Sequence, residues 1–170
     1  MTTEFVASEA LHGWAIYLQA AEEARRRGDR RVGTDDILLA LFEDPSIESI
    51  LGVSLEQARQ ARDSLDREAL AAVGLGSGID APPLPMRAVP KKPRFRDVVQ
   101  RDRFRMSPAA KKVLEDASKP NRHRIYVTAQ QVLAQILTLQ SPDPAAVLVG
   151  ALGVDPSEIR RRLDAVGQES

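Results

Sequence analysis

Apolar residues in this chain recur three and four positions apart, in short runs broken by glycine, proline and acidic residues. That is a helical period, with no sustained alternation of the kind a half-buried strand needs. Over 4–27, Ala10, Trp14, Leu18 and Ala21 make one apolar stripe. Trp14 is expected in the core, with its edge on a groove. Glu22, Glu23, Arg25, Arg26 and Arg27 turn the end polar, with cations at the C-terminus where the helix dipole favours them. Gly28 and Asp29 break this helix. Thr34 then reads as an N-cap for a helix over 35–43, with Asp35 and Asp36 in its first turn. Asp44-Pro45 stops it, because a residue before proline is pushed out of the helical region. A short helix over 46–51 closes on Gly52, and Ser54-Leu-Glu-Gln57 is a capping box for a helix to residue 72.

Residues 74–105 read "GLGSGIDAPPLPMRAVPKKPRFRDVVQRDRFR", rich in Gly and Pro and then in bases, a linker or long excursion. Beyond it the first pattern returns. Ser107-Pro108 is an N-cap with proline at the first helical position, and Thr128-Ala-Gln-Gln131 is a second capping box. A break at Ser141-Pro-Asp-Pro144, a short helix over 145–152 closing on Gly153, and a last helix over 155–166 follow. "RVGTDDILLALF" is answered by "YVTAQQVLAQIL", and "LGVS" at 51–54 by "LGVD" at 152–155. The chain is therefore an internal duplication, repeat one over 1–73 and repeat two over 106–170. Neither four-helix unit hides its apolar face alone. Packed together, the two predict an all-α, eight-helix domain with approximate two-fold symmetry.

These segments resemble the double Clp repeat, the N-terminal domain of the Clp AAA+ unfoldases, most of all its ClpC-type version. The family's "Y-I-G-T-E-H-I-L-L-G-L" is met by "RRVGTDDILLALF" in repeat one, and its "F-T-P-R-A-K-K-V-L" by "MSPAAKKVLEDA" at 106–117. The resemblance implies an all-α fold and a non-enzymatic binding module for adaptors, degradation substrates or Clp protease components. It also implies a site for phosphorylated arginine. There the acid of the "G-T-E-H" motif holds the guanidinium, while a hydroxyl and a base on the preceding helix meet the phosphate. Such chemistry suits fork-to-carboxylate pairing. Carried over, repeat one has Thr34 and Asp35, one methylene shorter than Glu, but Ala10 and Trp14 at the hydroxyl and base positions. Repeat two has Ser107 and Lys111 at those positions but Gln130 for the acid. Each repeat thus keeps only part of the site, and the groove near Trp14, Thr34, Asp35, Ser107, Lys111 and Gln130 is the expected ligand position. Without a ligand, Thr34, Asp35 and Asp36 still serve as cap and dipole compensation.

The bulk numbers narrow the function classes. Lys plus Arg equal Asp plus Glu at 24 each, so no global field marks a nucleic-acid or membrane binder. Aromatics are 4% and cysteine is absent, which favours helices and excludes thiol chemistry. The start "MTTEFVASEA" is not a secretory signal, and no apolar run reaches the roughly 20 residues of a membrane span. A cytoplasmic location is expected. No G-x-x-x-x-G-K-[ST] occurs, so the chain carries no P-loop, and it reads as a free-standing copy of the domain or a piece of a longer one. His12 and His123 have no partners at metal-ligand spacing, and "GLGSGID" precedes prolines instead of a helix. No cofactor and no catalytic constellation is expected.

One stretch admits a second reading. Residues 87–105 hold Arg87, Lys91, Lys92, Arg94, Arg96, Arg101, Arg103 and Arg105 against Asp97 and Asp102, with Phe95 and Phe104 interleaved. Lys91, Lys92, Arg94, Phe95 and Arg96 form a candidate docking loop for an acidic protein surface. The same composition suits nucleic-acid phosphates and bases, which makes a nucleic-acid-associated regulator the alternative.

Overall fold

The computed structural model describes residues 13–74, 105–119 and 127–168. Ala10, His12, His123 and the loop residues Lys91, Lys92, Arg94, Phe95 and Arg96 lie outside them. Among the described residues stand eight α-helices, as the repeats predict. They are α1 (Gly13–Arg27), α2 (Thr34–Ala40), α3 (Pro45–Leu51), α4 (Leu55–Ala72), α5 (Pro108–Ser118), α6 (Ala129–Ile136), α7 (Pro144–Ala151) and α8 (Pro156–Gln168). Two two-residue strands, β1 (Arg31–Val32) and β2 (Arg105–Met106), pair in parallel, Arg31 with Arg105 and Val32 with Met106. That pairing was not expected, since two residues are too few to leave a period in the sequence.

The caps repeat with the sequence. Asp44 and Asp143 each stand before a proline at the first helical position and accept from a backbone N–H of α3 and α7. Both short helices are followed by a glycine at positive φ, Gly52 at 70° and Gly153 at 67°. Ser54 and Thr128 complete reciprocal capping boxes with Gln57 and Gln131. At α2 the structure departs from the expectation. The N-cap is Gly33, extended at φ −90° and ψ 176°, and Thr34 is the first helical residue. Asp36 supplies half a capping box by accepting from Gly33 N at 2.8 Å. Gly33 stands where repeat two has Thr128, so the cap position is kept while its side chain is lost. The helix also tightens into a 3-10 turn over Leu41–Glu43, because Asp44 must be extended ahead of Pro45.

Buried residues from both halves form one cluster, with Ile37, Leu38, Leu39 and Leu41 from repeat one beside Val132, Leu133, Ile136 and Leu148 from repeat two. α2 packs on α1 and reaches across to α5, α6 and α7. The fourth helices are exchanged: α4 packs against α7, and α8 against α3. Each repeat therefore hides its third helix under the other repeat's fourth, which is why neither unit closes alone. The α1 stripe is rotated from the expected one. Ile16, Ala20 and Ala24 face the core together with Ala21 of the expected stripe, whereas Trp14 is 43% exposed and packs on Tyr17 with ring centroids 4.9 Å apart. The expectation of a core tryptophan is corrected. Close packing of α1 on α2 selects its small alanines, and a large indole sits at the edge of such a contact.

Candidate functional site

The end of α1 creates a charged concavity. Gly28, at φ 82°, lets its N–H reach Arg25 O at 3.0 Å and that of Asp29 reach Ala24 O at 2.9 Å, a Schellman closure. The turn folds Asp29, Arg30 and Arg31 back over the start of α2. Arg27, Asp29, Arg30, Arg31, Gly33, Asp35 and Asp36 then line an open hollow of about 430 Å³.

The acids of its floor are already engaged. Arg27 donates to Asp35 Oδ2 at 2.8 Å and also meets Asp29 at 3.0 Å and Asp66 at 3.5 Å. Burial works against the Arg27 charge, but Asp35, Asp66, Asp29 and Asp36 outweigh it and raise the pKa above its ordinary value. Asp36, 1% exposed, accepts from Arg62 at 2.9 Å as well as from Gly33 N. Burial, and then the neighbouring Asp35 charge, push its carboxyl up to about 6 against the pull of Gly33 N–H, Arg62 and Arg27. Arg62 is itself buried and lies 3.9 Å from Glu23, which is held by Arg59 at 2.5 Å. An ionic network thus joins α1, α2 and α4, all within repeat one. Among the described residues no group of three or more His, Asp or Glu stands close enough to hold a metal.

The residues singled out from the sequence fall in separate places. Asp35 is on the concavity floor and 7% exposed. Thr34 turns away from it, donating to Asp143 Oδ1 at 2.7 Å and accepting from Ala145 N at 3.3 Å. Ser107 caps α5, accepting from Ala110 N at 3.1 Å, and its own N–H donates to Val32 O at 2.9 Å. Lys111 is exposed and pairs with Glu115 at 3.5 Å. Gln130 donates to Ser46 Oγ across the repeats at 3.3 Å. Trp14 lies on α1 away from the lining residues. Of the six, only Asp35 lines the hollow. Among the residues that line it with Asp35 and were not singled out are the three arginines Arg27, Arg30 and Arg31. The run "ARRRGDRRVG" was their signal, of which the sequence reading took Arg27 as helix-end charge and gave Arg30 and Arg31 no role.

The all-α fold, helical segments of both halves closed on one core, is consistent with that of a Clp-type N-terminal domain. No family model matches the chain. The chain is 27% identical over 91% of its length to a chaperone protein ClpC1, chloroplastic, of Oryza sativa subsp. japonica, covering 15% of that protein. It is 28% identical over 91% of its length to the ATP-dependent Clp protease ATP-binding subunit ClpA homolog CD4B, chloroplastic, of Solanum lycopersicum. Over 87% of its length it is 28% identical to chaperone protein ClpC1, chloroplastic, of Arabidopsis thaliana, covering 14% of that protein. The chain thus spans about a seventh of the relatives it matches. No helix among the described residues is long and apolar enough to cross a membrane.

Proposed function

We propose that the chain is a non-enzymatic protein-binding module of the Clp system, its two repeats 1–73 and 106–170 joined by 74–105, which takes up adaptors, degradation substrates or Clp protease components. The observation that carries this reading is the match of 87–91% of the chain to about a seventh of each Clp chaperone subunit, in a sequence without a P-loop. The relatives' names, chaperones and protease subunits, favour a protein partner over the nucleic-acid alternative. Phosphoarginine recognition at Asp35 belongs to the same reading, as does docking through Lys91, Lys92, Arg94, Phe95 and Arg96. A reducing, cytoplasm-like compartment fits a chain without cysteine, while these relatives are named as chloroplastic.

The test is affinity capture with the 170-residue chain, followed by quantitative mass spectrometry and by titration with free phosphoarginine. Enrichment of Clp subunits, their adaptors or their clients over a fold-matched helical control is the expected result. Capture of none of these overturns the reading. Phosphoarginine that moves no resonance near Asp35 or Lys111 at millimolar concentration removes that part of it.

A further inference from the structure

We propose that Arg30 and Arg31, which line the concavity, and Arg105, paired with Arg31 in the β1–β2 ladder, form a docking site for the carboxylates of an acidic protein segment. This names the chemistry of one partner surface and rests on the protein-binding reading above.

The first support is the β1–β2 register. Arg31 lies opposite Arg105 in a parallel pair, both are exposed, and paired residues share a face of the ladder. Strands in such a pair run about 4.8 Å apart, and like charges placed opposite each other destabilise it. A chain that sets two guanidinium groups side by side gains from an anion laid across them.

The second support is the balance of partners. Every acid on the hollow's floor has an arginine: Asp29 and Asp35 have Arg27, and Asp36 has Arg62. Arg30, Arg31 and Arg105 have no ion pair among the described residues. Among the residues lining the concavity the uncommitted charge is thus positive and belongs to Arg30 and Arg31, with Arg105 beside Arg31 in the ladder. Guanidinium forks match carboxylates in paired hydrogen bonds and lose little solvation when they do so.

The third support is what the floor excludes. A small free anion drawn into the 430 Å³ hollow meets Asp29 and Asp35, whose partner Arg27 is already taken up by them, so the floor offers it no free cation. An extended segment with several carboxylates can bridge the three arginines without reaching that floor. The arrangement therefore selects for a polyanionic chain over a single anion.

The probe is an oligoglutamate peptide, titrated into the full chain by nuclear magnetic resonance and calorimetry, beside an oligoserine peptide and inorganic phosphate. The expected result is saturable oligoglutamate binding that shifts the Arg30, Arg31 and Arg105 amides and weakens with salt. The triple variant Arg30→Ala/Arg31→Ala/Arg105→Ala should bind at least about tenfold more weakly. Lys112→Ala, on α5, should bind as the parent does, and circular dichroism should show all variants folded. Equal binding by the triple variant, tighter binding of phosphate than of oligoglutamate, or no binding at low salt overturns the proposal. Failure here is separable from failure of the protein-binding reading. A triple variant that still captures Clp subunits leaves that reading standing, and a parent that captures none but binds oligoglutamate leaves this site standing.

Discussion

The Thr34 hydroxyl donates to Asp143 Oδ1 at 2.7 Å, joining the first turn of α2 in one repeat to the N-cap of α7 in the other. Ala145 N donates to both oxygens, at 3.3 Å to Thr34 and 3.0 Å to Asp143. Thr34 is 1% exposed, so its removal leaves buried polar groups short of a partner. Thr34→Val keeps the shape and deletes the bonds, and should cost about 1–3 kcal/mol in chemical denaturation. Thr34→Ser keeps the hydroxyl and should recover most of that loss. A loss in Thr34→Ser with none in Thr34→Val would assign the effect to the methyl group and its packing instead.

Arg62 and Asp36 form a buried pair in repeat one, and in repeat two the position of the arginine is apolar. Aligning "LGVS" with "LGVD" sets Arg62 opposite Leu163, which packs partly buried against the core. Arg62→Leu alone strands the Asp36 carboxylate and should destabilise by about 3–5 kcal/mol. Adding Asp36→Asn removes the stranded charge and keeps an acceptor for Gly33 N, so the double variant should recover most of the loss. A double-mutant cycle measures this, and additive costs would mean that the two side chains are not coupled.

Asp36 also gives stability a pH dependence of unusual sign. In an unfolded chain its pKa is about 3.9, and in the fold it is raised to about 6. Between those values the native state holds a proton that the unfolded state releases, so stability falls as pH rises through the window and is level above it. A shift of about two units corresponds to about 3 kcal/mol. The stability difference between the parent and Asp36→Asn should therefore move toward the parent by up to that amount as pH drops from neutral to below the unfolded pKa. A difference that stays flat across the window contradicts the raised carboxyl.

The features legible in the sequence are those whose causes are local. Capping residues act within three positions, so Ser54, Ser107 and Thr128 announced their helices, Asp44 and Asp143 were read only as breaks before their prolines, and the recurrence of that grammar announced the duplication and the all-α fold. The exchange of α4 and α8 between repeats left no such trace, since it depends on contacts far apart in the chain. Trp14 misled because a hydrophobic stripe weights a large indole above the alanines that close helix packing needs. Thr34 misled by one position, since Gly33 has no side chain to mark it as the cap. Within the site, Asp35 was visible as a first-turn acid, but Arg27 was read as dipole compensation. Its pairing with Asp35 spans eight residues and depends on the reversal at Gly28.

Arg27 already donates to Asp35 at 2.8 Å, so the phosphoarginine site proposed at Asp35 requires that this guanidinium be displaced. The 2.8 Å contact is backed by Asp29 and Asp66, which hold the same side chain in place. An incoming guanidinium must displace it, and charge-assisted hydrogen bonds of this kind are worth about 1.5–3 kcal/mol. Arg27→Ala should therefore raise affinity for free phosphoarginine by about tenfold or more, read by calorimetry or by resonance shifts at Asp35. Adding Asp35→Asn should cancel the gain, because the released carboxylate is its source. Unchanged affinity in Arg27→Ala would mean that Asp35, even when freed, is too short or too deep to meet a ligand, and that its part is confined to the start of α2.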